Sequence, residues 1–340
     1  MFPYLFTRAV DSAWFTNQKH MTEDFTTGGD LSRQLEYECI LKLAETMPIS
    51  YQREALKAQS ILIRTNLFLK HNTKQEDSGF AEEIKDIGGR KEKAVLLENY
   101  RYLKEITEET QGKVLTCEGT VVTAPYCYLS AGSMRNGEEL SYLEAVESPY
   151  DLSSPEYLKL SLFSWNELED QFRQNLYALC LTEKASDAAI DFSVEEEELL
   201  PFDSTKTLEE NVKEQLEVLE REESGYVKKV RLGSYLMSGE EFRNMFGLSS
   251  SDFYVDVLAN SQETGTEEEQ EQEEKTEKKA EEKVEEKTEE KEQERIRMVT
   301  RGCGHGYGMS QYGAECLARE GKTGEEILKI YFPKLEIKTL

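Results

Sequence analysis

Long hydrophobic runs are absent from this chain of 340 residues. The N-terminus reads MFPYLFTRAVD, and Arg8 and Asp11 interrupt its apolar start. A membrane-spanning helix needs about 20 apolar residues, and the hydrophobic core of a signal peptide needs about 7 to 15. The sequence therefore predicts no anchor and no export signal in its N-terminal segment, residues 1–30.

Clustered cysteines and histidines are also missing. The six cysteines include no Cys-x-x-Cys pair, and there are three histidines in all. Structural metal sites draw on such closely spaced ligands, so we predict no metal site. No phosphate-binding loop or dinucleotide-binding fingerprint occurs either, and we predict no cofactor. Cys117 and Cys127 would be able to bridge two paired strands, but free thiols are the expectation in a chain of this length.

Positive charge is in the minority, with 41 Lys and Arg against 68 Asp and Glu, a formal net charge of -27. A field of this sign repels nucleic acid, which excludes DNA and RNA as partners. Much of the charge lies in residues 261–297, which are almost entirely Glu, Lys, Gln and Thr. Such a segment buries no apolar surface, so we interpret it as a low-complexity insertion in a hairpin. A dedicated binding arm is the alternative.

Two helices are predicted in the first third of the chain. Between Arg33 and Glu45 the apolar residues recur every four positions, the pattern of an amphipathic helix, and Pro48 ends it. The stretch from about Arg53 to Lys70 begins with strong helix formers and becomes apolar on most sides. This second helix is expected to lie in the core.

The pattern changes after Gly112, where β-branched and aromatic residues separated by Gly and Pro indicate short strands. Residues 156–184 return to a helical pattern, and the acidic stretch 193–220 suggests one surface helix. Residues 225–258 read as two strands around a short helix, which begins with a capping box from Ser238 to Glu241.

The C-terminal block carries alternate glycines, which suit positive φ angles or a close approach to the backbone. They are Gly302, Gly304, Gly306 and Gly308. A helix from about Ser310 to Glu320 follows, and a second capping box, from Thr323 to Glu326, opens another. The fold class is therefore α+β. A helical lobe of residues 30–110 packs on short, mainly antiparallel strands, and the Gly-rich loop closes a cleft near Glu45. One domain is assigned to residues 31–260 and 298–340.

Glu45 is the first candidate for catalysis. It lies in the last predicted turn of its helix, where the negative end of the helix dipole disfavours a carboxylate by about 0.3–1 kcal/mol. That position favours the protonated form, which a general acid needs. The alternative is an ordinary exposed glutamate, one of many in this acidic chain.

The other candidates are polar residues in unusual surroundings. Gln59 and Arg64 stand in the most apolar part of the second helix, so they either line a cleft or tie the helix to a loop. His305 lies in the Gly-rich loop, where it makes a structural hydrogen bond or contacts a ligand. Gln311 and Tyr312 begin the next helix and would suit a sugar through amide and ring, unless Tyr312 is a core residue.

Several of these motifs together resemble the stage II sporulation protein D family, which includes the amidase-enhancer proteins. The strings are ETMP with REALKAQSILIRTNLF, and GCGHGYGMSQYGAECLAREGKTGEEILKIYFP. The likeness covers about residues 35–165, 224–258 and 296–340. Some relatives bind a metal through a Cys/His cluster after the core helix. Here that stretch holds only His71, which again predicts no metal.

The resemblance implies a lytic transglycosylase that cleaves peptidoglycan glycan strands already stripped of stem peptides, during spore engulfment or wall remodelling. Glu45 matches the family's catalytic glutamate before Met-Pro. It would protonate the glycosidic oxygen and then deprotonate the C6 hydroxyl of muramic acid, which closes a 1,6-anhydro ring. The expected substrate-binding residues are Gln59, Arg64, His305, Ser310, Gln311 and Tyr312.

A second function remains open, namely a non-catalytic protein that binds glycan and stimulates a cell-wall amidase. The intact Glu45 favours the enzyme, and the divergent N-terminus favours the binder. Expected partners are peptidoglycan glycan strands, a cell-wall amidase and membrane proteins of an engulfment complex. The expected location is extracytoplasmic, at the cell wall or membrane. A structural partner in such a complex, with residues 261–297 as its contact, is a third interpretation.

Overall fold

A computed structural model of the protein describes residues 31–73, 91–137, 140–183, 200–258 and 294–340. The described residues form eight α-helices: α1 (Leu31–Thr46), α2 (Arg53–Thr73), α3 (Lys91–Glu109), α4 (Trp165–Glu183), α5 (Leu208–Gln215), α6 (Gly239–Met245), α7 (Gln311–Arg319) and α8 (Gly324–Tyr331). A 3₁₀ helix spans Pro149–Ser153. The predicted α+β fold class is confirmed.

The strands of the described residues are short. They are β1 (Lys113–Cys117), β2 (Thr120–Val121), β3 (Tyr126–Cys127), β4 (Leu158–Phe163), β5 (Leu216–Arg221), β6 (Val227–Leu232), β7 (Tyr235–Ser238), β8 (Phe253–Leu258), β9 (Arg295–Arg301), β10 (Met309–Ser310) and β11 (Glu336–Thr339). Three antiparallel sheets have the orders β11-β1-β2, β4-β9-β8 and β5-β6-β7. The pair β10-β3 is parallel.

Helix α2 is the centre of the helical lobe, as its composition predicts. Leu56, Ile61 and Leu62 are almost completely buried, and burial of each such side chain contributes about 1.5–3 kcal/mol. Helices α1 and α3 pack on one part of α2, and the C-terminal helices α7 and α8 pack on another. The two ends of the described chain therefore share one core, which brings the C-terminal block to the helix that carries Glu45.

A second apolar cluster lies between the two other three-stranded sheets and helices α4, α5 and α6. Phe242 stacks on Phe253 with ring centroids 4.7 Å apart, and Phe172 packs edge-on against Tyr235. Helix α6 begins with the predicted capping box, in which the side chains of Ser238 and Glu241 accept hydrogen bonds from each other's backbone N–H groups. The capping box of Thr323 and Glu326 at α8 is confirmed as well.

Two strands contradict the sequence interpretation. The helical pattern expected for residues 156–184 begins only at Trp165, because Leu158–Phe163 is strand β4. Its alternate leucines point to solvent rather than to the core, being 48–61% exposed. Residues Leu216–Arg221, expected within an acidic surface segment, form strand β5 after helix α5. Both segments are strands because β4 pairs with β9 and β5 pairs with β6. Helical propensity is weak, and such tertiary contacts override it.

The N-terminal segment, residues 1–30, and residues 261–293 of the predicted insertion 261–297 lie outside the described residues. The last three residues of that predicted insertion, 295–297, instead form the beginning of strand β9, in which Ile296 is buried. The strands on either side of the charged segment, β8 and β9, pair with each other in antiparallel register from Phe253–Thr300 to Leu258–Arg295. Among the described helices, none has the length and apolar character that crossing a membrane requires.

Candidate functional site

Glu45 occupies the last turn of α1, where the chain leaves the helix before Pro48. Its side chain is 32% exposed, and its Oε2 lies 2.9 Å from Lys42 Nζ. The N–H of Met47 still bonds to the carbonyl of Leu43, at 3.3 Å, and this contact continues the helical pattern one residue past Thr46. The carboxyl group is thus accessible from solvent, which proton exchange with a bound substrate requires.

Thr46, the residue after Glu45, is contacted by side chains from two other helices, α2 and α7. Gln311 Nε2 donates to the Thr46 carbonyl at 2.9 Å, and Gln59 Nε2 lies 3.5 Å from Thr46 Oγ1, at the outer limit for a hydrogen bond. The Thr46 hydroxyl itself donates to the Lys42 carbonyl at 2.7 Å. The structure therefore brings three of the predicted residues, Glu45, Gln59 and Gln311, into one group.

Gln59 is fully buried within this group. Its Oε1 has no hydrogen-bond partner among the described residues. The polar atoms of Gln59 face the protein interior beside Thr46. Its contact with substrate stays a prediction.

Arg64 lies apart from the Glu45 group and makes contacts within the protein. Its Nε and a terminal nitrogen bind the two carboxylate oxygens of Glu36 at 2.7 Å each. Further hydrogen bonds reach the carbonyls of Thr107 at 3.1 Å and Lys113 at 3.3 Å. Of the two alternatives for this residue, these contacts correspond to the second, in which Arg64 ties the core helix to a turn. A role in substrate binding stays a prediction.

The Gly-rich loop follows β9 and packs on strand β3. All four alternate glycines have positive φ, from 77° at Gly302 and Gly306 to 117° at Gly304. At Gly308 a Cβ atom would stand 1.9 Å from the Pro125 carbonyl oxygen, so only glycine allows the loop to approach β3 this closely. The loop ends in β10, which pairs with β3.

His305 is held by the loop itself. Its Nδ1 accepts the N–H of Tyr307 at 3.0 Å, and its ring stacks on the Tyr307 ring with centroids 5.8 Å apart. Burial lowers the pKa of His305 below its ordinary value, although the nearby Glu240 carboxylate opposes this. The imidazole is therefore neutral near pH 7, and its Nδ1 serves as an acceptor.

Arg135, which the sequence does not mark as a site residue, connects this loop to the elements around the second apolar cluster. Its guanidinium binds Glu222 and Glu240, donates to the His305 carbonyl at 3.3 Å, and lies 4.4 Å from the centre of the Tyr307 ring. Arg135 stands in a polar stretch typical of a surface loop, yet it is 5% exposed. No local pattern marks such a residue, because its partners are far away in sequence.

Ser310 begins helix α7 and is anchored to a buried carboxylate. Its Oγ donates to Asp151 Oδ1 at 2.8 Å and accepts the N–H of Gly313 at 3.1 Å. Asp151 also accepts the N–H of Ser130 at 3.0 Å. Burial raises the pKa of Asp151, and these hydrogen bonds act against the rise. The hydroxyl of Ser310 is thus engaged inside the protein, and its contact with substrate stays a prediction.

Half-buried tyrosines lie around the Glu45 group. Tyr312 donates its backbone N–H to the Tyr128 carbonyl at 3.1 Å. The Tyr128 hydroxyl lies near Tyr51, and the Tyr126 hydroxyl lies near the side chain of Thr46. Of these residues only Tyr312 was predicted. The alternation Tyr-Cys-Tyr at 126–128 was the available signal, since it puts two rings on one side of a strand.

Within the described residues, no three His, Cys, Asp or Glu side chains form a group that could hold a metal ion. Cys39, Cys117, Cys127, Cys303 and Cys316 are free thiols. Burial raises the pKa of Cys39 and of Cys127 to about 12, so these two thiols are unreactive at neutral pH.

Comparison with known proteins now adds to this geometry. Residues 34–117 match the family model described as stage II sporulation protein, a range that includes Glu45, Gln59 and Arg64. The resemblance to this family is confirmed. The chain is 26% identical over 320 residues to stage II sporulation protein D of Bacillus subtilis (strain 168), and equally to that of Bacillus amyloliquefaciens. Each alignment covers 89% of this chain and 74% of the relative.

Proposed function

We propose that this protein is a lytic transglycosylase of sporulation, which cleaves peptidoglycan glycan strands that lack stem peptides. The observation that carries the proposal is the contact between Gln311 and Thr46. It joins the sequence around Glu45 to the C-terminal Gly-rich block. The contact brings the start of helix α7 to the residue that follows the partly exposed Glu45 carboxyl group.

In the proposed reaction Glu45 acts twice. Its carboxylic acid first protonates the glycosidic oxygen, and the bond from that oxygen to the anomeric carbon of the muramic acid unit breaks. The resulting carboxylate then removes the proton of the C6 hydroxyl, whose oxygen attacks the anomeric carbon and closes the 1,6-anhydro ring. The proton returns to Glu45, no water is consumed, and no second catalytic carboxylate is needed.

The remaining predicted site residues fall into two groups, one half-buried and one almost completely buried. The half-buried His305 and Tyr312 are proposed to contact the glycan, with rings that bury apolar sugar faces and polar atoms at their edges. Gln59, Arg64, Ser310 and Gln311 are at most 3% exposed. We propose that these four contribute to glycan binding through the residues they hold in place.

The proposed substrate lies outside the cell membrane, so the proposed location is extracytoplasmic. A cell-wall amidase and membrane proteins of an engulfment complex are the proposed partners. The ion pair of Glu45 with Lys42 favours the second candidate function, a non-catalytic enhancer of an amidase. The ammonium group of Lys42 lies 2.9 Å from Oε2 of Glu45 and occupies the oxygen that a glycosidic oxygen would otherwise approach.

The test compares the protein with two variants on peptide-free glycan strands, with the products examined by mass spectrometry. Glu45→Gln removes the proposed acid, and Glu108→Gln removes an exposed glutamate of α3 as the matched control. Products ending in 1,6-anhydro-muramic acid are expected from the native protein and the control, and not from Glu45→Gln. Retained glycan binding without products from any of the three would refute the enzyme and leave the enhancer.

A further inference from the structure

Two side chains of helix α7 hold both ends of the segment that follows Glu45. Gln311 donates to the carbonyl of Thr46 at 2.9 Å, and Glu315 Oε2 accepts the N–H of Gln52 at 2.5 Å. Gln311 and Glu315 lie four residues apart, on the same face of the helix. They are 3% and 1% exposed. The segment of residues 46–52 is therefore clamped to the C-terminal block at its beginning and at its end.

The contact of Glu315 lies at the N-terminus of helix α2. Gln52 directly precedes α2, and its carbonyl accepts the first helical hydrogen bond, from Leu56 N–H at 3.1 Å. A carboxylate at a helix N-terminus interacts favourably with the helix dipole and satisfies a donor that lacks a partner within the helix. The second oxygen of Glu315 accepts from Arg319 Nε at 2.7 Å, which balances the buried charge.

Helix α2 makes a similar contact in the opposite direction. Glu54, in its first turn, accepts the N–H of Gly324 at 2.8 Å, and Gly324 is the first residue of α8. Each helical unit thus provides a carboxylate for the beginning of a helix in the other. This reciprocal arrangement fixes the C-terminal helices against the start of α2, and with it the short connection that joins α2 to Glu45.

The side chain of Glu45 has few contacts that would hold it in place. The Glu45 side chain is 32% exposed, and its ion-pair partner is the long, 43% exposed side chain of Lys42. We propose that Glu315 is a positioning residue, which holds residues 46–52 and thereby fixes the position of Glu45 relative to helix α7. This inference rests on the proposed role of Glu45 in glycan cleavage, and it concerns a residue that contacts neither Glu45 nor the glycan.

A purely structural role for Glu315 would lower stability without a selective effect on turnover. A positioning role predicts a split between kcat and KM, because a small displacement of a catalytic group reduces the rate far more than substrate binding. It also predicts rescue by glutamine, whose amide oxygen can accept the Gln52 N–H. The variant Arg319→Ala separates the effects of the two partners of Glu315, since it removes the ion pair and leaves the contact with Gln52 intact.

The experiment compares Glu315→Ala, Glu315→Gln and Arg319→Ala with the native full chain, below the unfolding temperature of every variant. For Glu315→Ala we expect kcat on peptide-free glycan to fall about tenfold or more with KM within about twofold. We expect Glu315→Gln and Arg319→Ala to stay within about threefold of the native kcat. Hydrogen exchange of the backbone amides of residues 47 and 49–52 is measured in parallel, and we expect it to accelerate in Glu315→Ala alone.

The outcomes separate this inference from the proposed function. Native kcat and native exchange in Glu315→Ala would overturn the positioning role, and so would an equal loss of kcat in Arg319→Ala. If the native protein releases no product, the proposed function fails. Accelerated exchange of residues 47 and 49–52 in Glu315→Ala then still supports the clamp, and unchanged exchange overturns it.

Discussion

Gln311 donates from its side-chain amide to the backbone carbonyl of Thr46, the residue after Glu45, over 2.9 Å. The two residues are 265 positions apart in sequence. The carbonyls in the last turn of a helix have no partner within the helix, and a side chain from another element is one way to satisfy them. Here the C-terminal block supplies that donor, which makes the end of α1 dependent on helix α7.

Gln311→Leu tests this dependence. The variant keeps a similar volume but leaves the Thr46 carbonyl without its donor, and a buried polar group without a partner costs about 1–3 kcal/mol. We expect a loss of that size in urea unfolding, together with reduced glycan cleavage. Gln111→Leu, at an exposed position, is the matched control and is expected to change stability by less than about 0.5 kcal/mol. Equal stability of the two variants would show that the contact is unimportant.

Arg64→Met tests the buried ion pair of the core helix. The substitution leaves Glu36 without its cation and two carbonyls without donors, and breaking a buried pair in this way costs about 3–5 kcal/mol. We expect the midpoint of urea unfolding to fall accordingly. The surface pair of Arg53 with Glu109 provides the comparison, and Arg53→Met should cost about 1 kcal/mol or less.

A double substitution separates charge from packing at the same site. Arg64→Met combined with Glu36→Met removes both charges, so we expect it to be more stable than Arg64→Met alone. A double variant that is less stable than the single one would contradict the view that the unpaired Glu36 carboxylate causes the loss.

Gly308→Ala tests how closely the Gly-rich loop must approach β3. The new Cβ would stand 1.9 Å from the Pro125 oxygen, at a residue with φ of 79°. We expect a loss of folding stability above about 3 kcal/mol and no glycan cleavage. Gly321 has φ of 89°, but no described atom lies within 4 Å of its Cβ position. Gly321→Ala should therefore show only the backbone cost of about 1–2 kcal/mol. Similar losses in the two variants would refute the steric explanation.

The features that the sequence predicts correctly are local ones. The apolar character of α2, the helix end before Pro48 and the capping boxes of α6 and α8 depend on residues within a few positions of each other. Such patterns are readable because a helix brings residues three and four apart onto one face. The location of Glu45 at the end of α1 belongs to this class.

The features that the sequence does not indicate depend on partners that are far away in sequence. Strand β4 shows its leucines to solvent, so the rule that apolar residues face the core gives the wrong answer there. Arg135 and Asp151 lie in polar stretches, and only the folded chain reveals that both are buried and hydrogen-bonded to the Gly-rich block. Nothing in one sequence indicates which charged residue will have such partners.

The pH dependence of folding stability should reveal the state of His305. Burial lowers its pKa in the folded protein, whereas the unfolded value is about 6.5. Below that value the unfolded chain binds a proton that the folded chain does not, so stability is lost as pH falls from about 6.5 toward the folded pKa. Protonation of Nδ1 would also break its hydrogen bond with the Tyr307 N–H. In His305→Asn the amide oxygen can accept that N–H without titrating. We therefore expect urea unfolding to show the native protein losing more stability than the variant between pH 8 and pH 5. Parallel losses in both proteins would mean that His305 binds its proton equally well in the folded and unfolded states.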